Sequence, residues 1–570
     1  MDLKTFTDNF KLLADAPNGI PKLREMILQL AVMGKLVPQD SNDEPASILL
    51  EKIAEEKKQL IAEGKIKNTK ALPPINLEET PHQIPKEWVW CRLGEIGVIG
   101  SSSRVHQKDW TNEGVPFYRA REIVKLSNFG SVNNELFIPE ELFITLSKNG
   151  TVPEHNDLMI TGVGTIGTPY VVKQNDKFYF KDASVLIFKN YFNLSPRFLF
   201  YFLKSPCWIN AIYAKSMGTT VHTLTISRAI AIPTPLPPLA EQKRIAAKVD
   251  ELMALCDEIE EQKKRREQIS VSMNTACLHE LASPEPVTSQ KGWSRIRENF
   301  QLLYDTPGNV AALRKSILQL AVMGKLVPQD PNDVPASVLF EKIAEEKAKL
   351  IKEGKIKKQK PLPKIADDEK PFELPAGWEW ARLQEAIDVR DGTHDSPKDA
   401  IGPDTYPLVT SKNFYNGTIK FDEARRISAG DHFNISKRSL VERYDILFSM
   451  IGGNLGNQVM VDDDRTFSVK NVALFKYYDR KLTSPFFIKK FMEHLALDLQ
   501  AKAAGGAQPF VSLGFLRNLV IAIPPIEEQR RIVAMVDGLI AICNTLKARL
   551  NDAQTIQAQL ADAIVEQAVA

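Results

Sequence analysis

Apolar residues along this chain fall into two periods. From Leu239 onward, Ile245, Val249, Leu252, Cys256 and Ile259 recur at spacings of four, three, four and three, which sets them on one seam of a long helix. Ile532, Val536, Leu539, Cys543, Leu546 and Leu550 repeat that seam near the other end of the chain. The proline pairs Pro237-Pro238 and Pro524-Pro525 stand just ahead of each seam, where a missing backbone N–H costs nothing. Each helix is predicted to run for about 40 residues, or roughly 60 Å at 1.5 Å per residue, long enough for a spacer. Segments 44–64 and 334–354, with Glu and Lys around Ile and Leu, predict shorter amphipathic helices with a solvated face.

Between these helical stretches the period changes. Short apolar runs, DLMIT, TPYVV and SVLIF in one region and DILFSMI, QVMVD and VALFK in another, are bounded by Gly, Asn and Asp and predict strands. Helices are predicted to follow near PRFLFYFLKS and PFFIKKFMEHLALDL. The expected class is therefore α/β of the mixed α+β kind.

The chain repeats itself. QLAVMGKLVPQD occupies 29–40 and returns at 319–330, and residues 23–75 match 313–365 at 40 of 53 positions. The register extends upstream, where NFKLLADAP faces NFQLLYDTP, and downstream, where IPKEWVW (84–90) faces LPAGWEW (374–380). Near the far ends LPPLAEQKRI (236–245) faces IPPIEEQRRI (523–532), now at an offset of 287. The chain is two copies of one module joined near 283–292, and the period is far too long for a solenoid. Conserved helical regions are expected at 1–84, 236–371 and 523–570, around two middles of sparse identity at 85–235 and 372–522. Constant ends with divergent middles suggest one kind of reading task performed on two different targets.

Composition narrows the class. At 570 residues the chain should hold several domains, and 44% apolar with 25% charged residues suits folded cores. A formal net charge of +2 means that any nucleic-acid surface must be local. The first middle carries 16 Lys and Arg against 12 Asp and Glu, the second 19 against 19, so charge alone does not mark either. Five cysteines (Cys91, Cys207, Cys256, Cys277 and Cys543) include no CxxC pair, which argues against a zinc site or a disulfide framework. The N-terminal MDLKTFTDNFKLLAD lacks an apolar signal core, and a cytoplasmic protein is expected.

Catalytic motifs are missing. TGVGTIGTP contains Gly162, Gly164 and Gly167 in the dinucleotide spacing, but Thr168, Pro169 and a strand-like YVV follow instead of a helix. The aligned MIGGNLGNQVMV keeps Gly453 and Gly456 and has Ile451 in place of the first glycine, so both segments are expected to be strand-turn-strand loops. No GxxxxGK[ST] phosphate loop, [DN]PP[YFW], HExxH or GxSxG string occurs. His394 lies beside Asp391 and Asp395 as a carboxylate-imidazole trio, for which an Asp-capped turn or a base-reading loop is the better assignment.

Polar and basic loops within the middles suit DNA reading, since Arg, Lys, Asn, Gln, Ser and Thr match base edges and phosphates. The first middle offers GSSSRVHQK, YRAR, FKDAS and GTTVHT; the second offers VRDGTHDSPK, VTSKN, VKNVA and GGAQPF. The candidate contacts are Ser102, Ser103, Arg104, His106, Arg119, Arg121, Thr165, Lys181, Thr219, Thr220 and His222 in the first. In the second they are Arg390, His394, Ser396, Lys412, Asn413, Asn454, Lys470, Asn471 and Gln508.

The paired WxW entry, the PPLAEQKRI and PPIEEQRRI helix starts, the LRxxILQLAVMGKLVPQ segments and the two variable middles resemble the DNA-specificity (S) subunit of type I restriction-modification systems, over essentially the whole chain. The resemblance implies two target-recognition domains reading the halves of an asymmetric bipartite site, separated by an antiparallel pair of long conserved helices in a pseudo-two-fold frame. It implies double-stranded DNA, two methyltransferase (M) subunits and restriction/translocase (R) subunits as partners. S-adenosylmethionine, ATP and Mg would belong to those subunits, with no cofactor and no catalytic centre in this chain. Leu236, Pro237, Glu241, Gln242, Arg244 and Ile245, with Ile523, Pro524, Glu528, Gln529, Arg531 and Ile532, match the helix-start motif and are expected to be structural or subunit-contacting. Where family members often carry an Asn before small residues, the second copy has Asn471 and the first has Asp182. The alternatives are a specificity subunit of a related methyltransferase-nuclease, a duplicated protein-interaction scaffold with no DNA footprint, and a hydrolase around His394, which would be active in the isolated chain.

Overall fold

The computed structural model describes residues 3–68, 71–149, 151–214, 222–503 and 510–569. Two units emerge, one of Met1–Arg266 with Ala553–Ala570 and the other of Glu267–Asp552. Both long seams form 44-residue helices, Leu239–Ala282 and Ile526–Val569, and each contributes its first part to one unit and its last turns to the other. Among the described residues no helix is long and apolar enough to cross a membrane.

In the first unit, the seam residues Ile245, Val249, Leu252 and Cys256 are buried against Leu23, Ile27 and Leu30 of the helix Gly19–Val32, and Ala561 and Ile564 of the last helix join that core. In the second unit Ile532, Val536 and Cys543 pack with Ile317 and Leu318 of the helix Pro307–Val322, and Cys277 joins them. A seam repeating every 3.5 residues buries one stripe and leaves the Glu- and Lys-rich face in water. The shorter helices Ala46–Ala62 and Ala336–Lys352 bury only Ala, Leu and Ile positions, as their amphipathic pattern predicts.

Among the described residues the first middle folds into nine strands: β1 (Val89–Arg92), β2 (Val98–Gly100), β3 (Val115–Tyr118), β4 (Phe137–Ile138), β5 (Leu158–Thr161), β6 (Pro169–Val171), β7 (Tyr179–Phe180), β8 (Val185–Lys189) and β9 (Pro233–Leu236). An antiparallel sheet of order β2-β8-β5-β6 lies beside a sheet of order β4-β3-β7, in which β3 and β7 run parallel. β1 and β9 pair antiparallel and bring the two ends of the middle together. β5 and β8 are buried on both faces: Leu158, Ile160, Leu186 and Phe188 face the helices Pro196–Phe202 and Pro206–Tyr213, and Met159, Val185 and Ile187 face the helix Ala120–Phe129. Two-sided burial is why these strands read as unbroken apolar runs.

The second middle repeats this plan with little shared sequence. Its strands are β10 (Glu379–Arg382), β11 (Asp388–Asp391), β12 (Thr405–Val409), β13 (Phe414–Tyr415), β14 (Thr418–Ile419), β15 (Arg425–Ser428), β16 (Ile446–Ser449), β17 (Gln458–Met460), β18 (Ser468–Val469), β19 (Val472–Lys476) and β20 (Val520–Ile523). The orders β11-β19-β16-β17, β15-β12-β18 and β10-β20 correspond strand for strand to those of the first unit, including the parallel pair β12·β18. Among the described residues the hairpin β13-β14 is the one addition. The expected mixed class is what forms, and the glycines of TGVGTIGTP lie in the turn between antiparallel β5 and β6.

Candidate nucleic-acid interface

Each middle is fixed to its helices by the same set of hydrogen bonds. Glu241, at the start of the first long helix, accepts from Trp88 Nε1 at 2.9 Å and from Gln39 Nε2 at 2.7 Å. Gln242 accepts from the Ser195 backbone N–H at 3.1 Å and donates to the Pro237 carbonyl at 2.9 Å, and Arg244 donates both Nη atoms to Asp43. In the second copy Glu528 accepts from Trp378 (3.0 Å) and Gln329 (3.1 Å), Gln529 from Ser484 (2.8 Å), and Arg531 binds Asp333. The helix-start motif thus has a structural role within the chain. Burial raises the carboxyl pKa of both Glu241 and Glu528, outweighing the bonds that favour ionisation.

Strand direction determines which edge of each domain is free to read. β2, β3, β5 and β7 all end at one edge, where β8 begins. The opposite edge is pinned by Lys189 at the end of β8, which bonds Asp157 at 2.7 Å and Glu154 at 2.5 Å. Lys476 at the end of β19 does the same with Asp445 and Glu442, both at 2.7 Å.

At the first free edge Ser102 Oγ donates to the Phe180 carbonyl at 2.6 Å and the Ser103 N–H to Tyr179 Oη at 2.9 Å. The Lys181 N–H donates to the Tyr118 carbonyl, the Gly162 N–H to Ser184, and the Leu224 N–H to Gly162. These bonds gather the loops bearing Ser102, Ser103, Arg104, His106, Arg119, Thr165, Lys181 and His222. Arg104, Lys108 and Lys181 have no side-chain partner among the described residues, leaving three cations to meet an anion. Arg119 and Arg121 are otherwise engaged: both bind Glu122, which is 2% exposed, and Arg121 also binds Glu135. Burial raises the Glu122 pKa, but the two guanidinium bonds prevail and hold the carboxyl below its ordinary value. Thr219 and Thr220 lie outside the described residues.

The second free edge is built alike. The Thr393 N–H donates to Val469, the Asn471 N–H to Thr393, and the Lys470 N–H to Val409. His394 contacts Asp391 through Nε2 at 3.0 Å and Asn471 Oδ1 through Nδ1 at 3.3 Å, so of its two neighbouring carboxylates in sequence the imidazole engages Asp391, and its second contact is Asn471. Arg438 binds the same Asp391, and Lys470 Nζ donates to Ser396 Oγ. Lys412 is exposed without a side-chain partner among the described residues, and Asn454 lies on the β16-β17 turn. Asn413 is buried and caps its own turn by accepting from the Thr410 N–H, and Arg390 is held by Asp388 at 2.7 Å and by the Arg438 carbonyl. Gln508 lies outside the described residues.

Two features of these edges had no local signal. Arg438 reaches Asp391 across 47 positions of sequence, and only the helix Ala429–Ser439 brings it there. The residue matching Asn471 (φ 55°) in left-handed backbone is Ala183 (φ 57°), not Asp182, because the first copy has two more residues between β7 and β8. Asparagine tolerates that conformation better than alanine.

A family described as the type I restriction modification DNA specificity domain matches residues 85–269 and 375–553. The type I restriction enzyme EcoAI specificity subunit of Escherichia coli is 33% identical over 97% of this chain and 94% of its own length. The EcoEI specificity subunit of Escherichia coli is likewise 33% identical, over 97% and 94%. Among solved structures, the HsdS subunit from Thermoanaerobacter tengcongensis aligns with 86% of this chain and 99% of its own at 18% identity and a TM-score of 0.46.

Proposed function

The chain belongs to the type I restriction-modification DNA specificity family, and from that premise we propose how its two domains divide the work. It is a DNA-specificity subunit, and its two recognition domains read the two halves of an asymmetric site. One observation carries this reading: the same strand order is built twice, held by the same Glu, Gln and Arg clamps, while the side chains at the free edge differ between copies. A duplicated frame with unlike edges is what two different half-sites require.

In this proposal Arg104, Lys108, Lys181, Lys412 and Lys470 meet phosphates, and Ser102, Ser103, Thr165, His394, Asn454 and Asn471 face base edges. Arg119, Arg121, Arg390 and Asn413 shape the edge through bonds they already make. Methyltransferase and restriction subunits supply adenine methylation, ATP hydrolysis and cleavage, with S-adenosylmethionine and Mg bound there, and this chain has no catalytic centre.

The test is a binding comparison. Duplexes carrying the host's methylated motif and scrambled duplexes are titrated with the chain assembled with its methyltransferase subunits. Specific binding should exceed non-specific by about a thousandfold or more and weaken as salt rises. Equal affinity for both duplexes would favour the interaction-scaffold alternative.

A further inference from the structure

The two copies differ in charge where a repeated arginine meets a long helix. In the first, Arg24 donates to Asp257 at 2.6 Å and to Glu260 at 2.7 Å. Moving by 290 residues along the short helix and 287 along the long one leads to Arg314, Asn544 and Lys547. Both acids have been lost, one to an amide and the other to a lysine. Arg314 and Lys547 have no hydrogen-bond or ion-pair partner among the described residues.

They line a cleft of about 530 Å³ within the second unit, together with Lys315, Lys489 and Glu493. Four cations there face one carboxylate, which Lys489 (3.9 Å) and Lys490 (3.8 Å) already approach. Lys315 has an exposed partner, Asp498, at 3.2 Å. Gln458 also lines the cleft, and its buried Oε1 has no hydrogen-bond partner. An amide so placed can turn its NH₂ toward an anion.

The remaining wall is formed by the tip of the β13-β14 hairpin at Asn416–Gly417 and by Gly456–Asn457. The hairpin follows directly on Lys412 and Asn413, and the Asn457 N–H donates to the Asn454 carbonyl. The cleft therefore continues from two turns of the free edge down onto the scaffold helices. Among the described residues the first unit has no such hairpin.

We propose that this cleft binds the sugar-phosphate backbone of DNA beside the half-site read by the second domain, a contact that the first copy has cancelled with Asp257 and Glu260. It rests on the DNA-reading function given above. A duplex engaged at the free edge extends past it and presents one charge per about 1.7 Å of axis. Guanidinium and ammonium donors, flanked by amides and by glycine backbone, suit phosphate oxygens, and Arg314 offers them as a planar fork. Continuity with the reading edge favours this occupant over an acidic protein segment.

The experiment is the double substitution Asn544→Asp with Lys547→Glu, which installs the acids that hold Arg24 in the first copy and so uses an arrangement this fold already accommodates. Arg314→Asn serves as a second variant. The full chain, assembled with its methyltransferase subunits, is titrated with its methylated-motif duplex from about 50 to 300 mM salt. The slope of log Kd against log salt should shrink by about 1.8, for two phosphates at about 0.9 each, and Kd at about 0.1 M salt should rise ten- to roughly sixtyfold. The methylated sequence should not change. An unaltered slope in a normally folded variant overturns the proposal, as does weakened methyltransferase association with an unaltered slope, which would assign the cleft to an acidic protein segment. If the unsubstituted assembly itself fails to prefer its motif, the DNA-reading function falls, an outcome separate from these.

Discussion

Replacing Glu241 with alanine should destabilise the first unit by about 2–3 kcal/mol. The carboxylate is 1% exposed and accepts from Trp88, itself 5% exposed, so its removal leaves the indole N–H buried and unpaired at a cost of about 1–3 kcal/mol. Gln39 is exposed and regains its bond from water, so it adds little. Lost packing of the side-chain methylenes supplies the rest, at about 0.8 kcal/mol per buried methylene. Glu241→Gln should cost only about 1 kcal/mol, because the Gln39 amide can turn to accept from the new NH₂. Burial lifts the Glu241 pKa above its ordinary 4.5, so folding favours the protonated form. That contribution is full below pH 4.5 and is lost as pH rises through the raised value; Glu241→Gln removes this slope. Urea unfolding with tryptophan fluorescence provides the assay, and a melting scan should show the first transition lower by roughly 5 °C. Glu528→Ala is the internal control, since Trp378 bonds it at 3.0 Å in the same geometry, and it should cost the second unit a similar amount. A loss under about 0.5 kcal/mol, an effect confined to one copy, or a glutamine variant as damaging as alanine would refute the reasoning.

Gly167→Ala should destabilise the first recognition domain by about 2 kcal/mol or more, since its φ is 78° and a Cβ would lie 2.4 Å from Ile212 Cδ1; denaturant midpoints measure it. Glu122 is held below its ordinary 4.5, so its share of stability is present above that pH and is lost as pH falls through the lowered value; unfolding between pH 3 and 6 should show this and Glu122→Gln should abolish it. Arg104→Ala should weaken DNA binding about threefold to tenfold and reduce the salt slope by about 0.9 without affecting the melting temperature. Arg119→Ala, by contrast, removes a bond to buried Glu122 and should lower the melting temperature of the first unit.

The helices and the central strands were legible because a single period fixes each of them. A 3.5-residue seam kept from Ile245 to Ile259 and again from Ile532 to Leu550 marks a helix, and strands buried on both faces leave short apolar runs bounded by turn residues. The clamps were visible only as repetition. Trp88, Gln39 and Asp43 recur with Glu241 and Arg244, but no spacing rule joins residues 153 to 202 positions apart. Local chemistry also hid a difference between the copies: Ser205 caps a second helix begun by Pro206, splitting what is one continuous helix, Pro485–Ala503, in the other copy. Among the candidate contacts, residue type alone could not distinguish Arg104, which has no side-chain partner among the described residues, from Arg119, which is committed to Glu122. Nor could it show that Asn413 faces inward to cap its turn.

The most direct test of the account exchanges residues 85–235 for the corresponding segment of another family member, leaving the clamp residues and the partner subunits in place, and sequences the methylome of the host. The methylome should show an adenine-methylated motif with one new half, while the other half and the spacing between them stay the same. A motif altered in both halves, or one left unchanged by an exchanged chain that still assembles and directs methylation, would contradict the claim that each copy reads its own half-site.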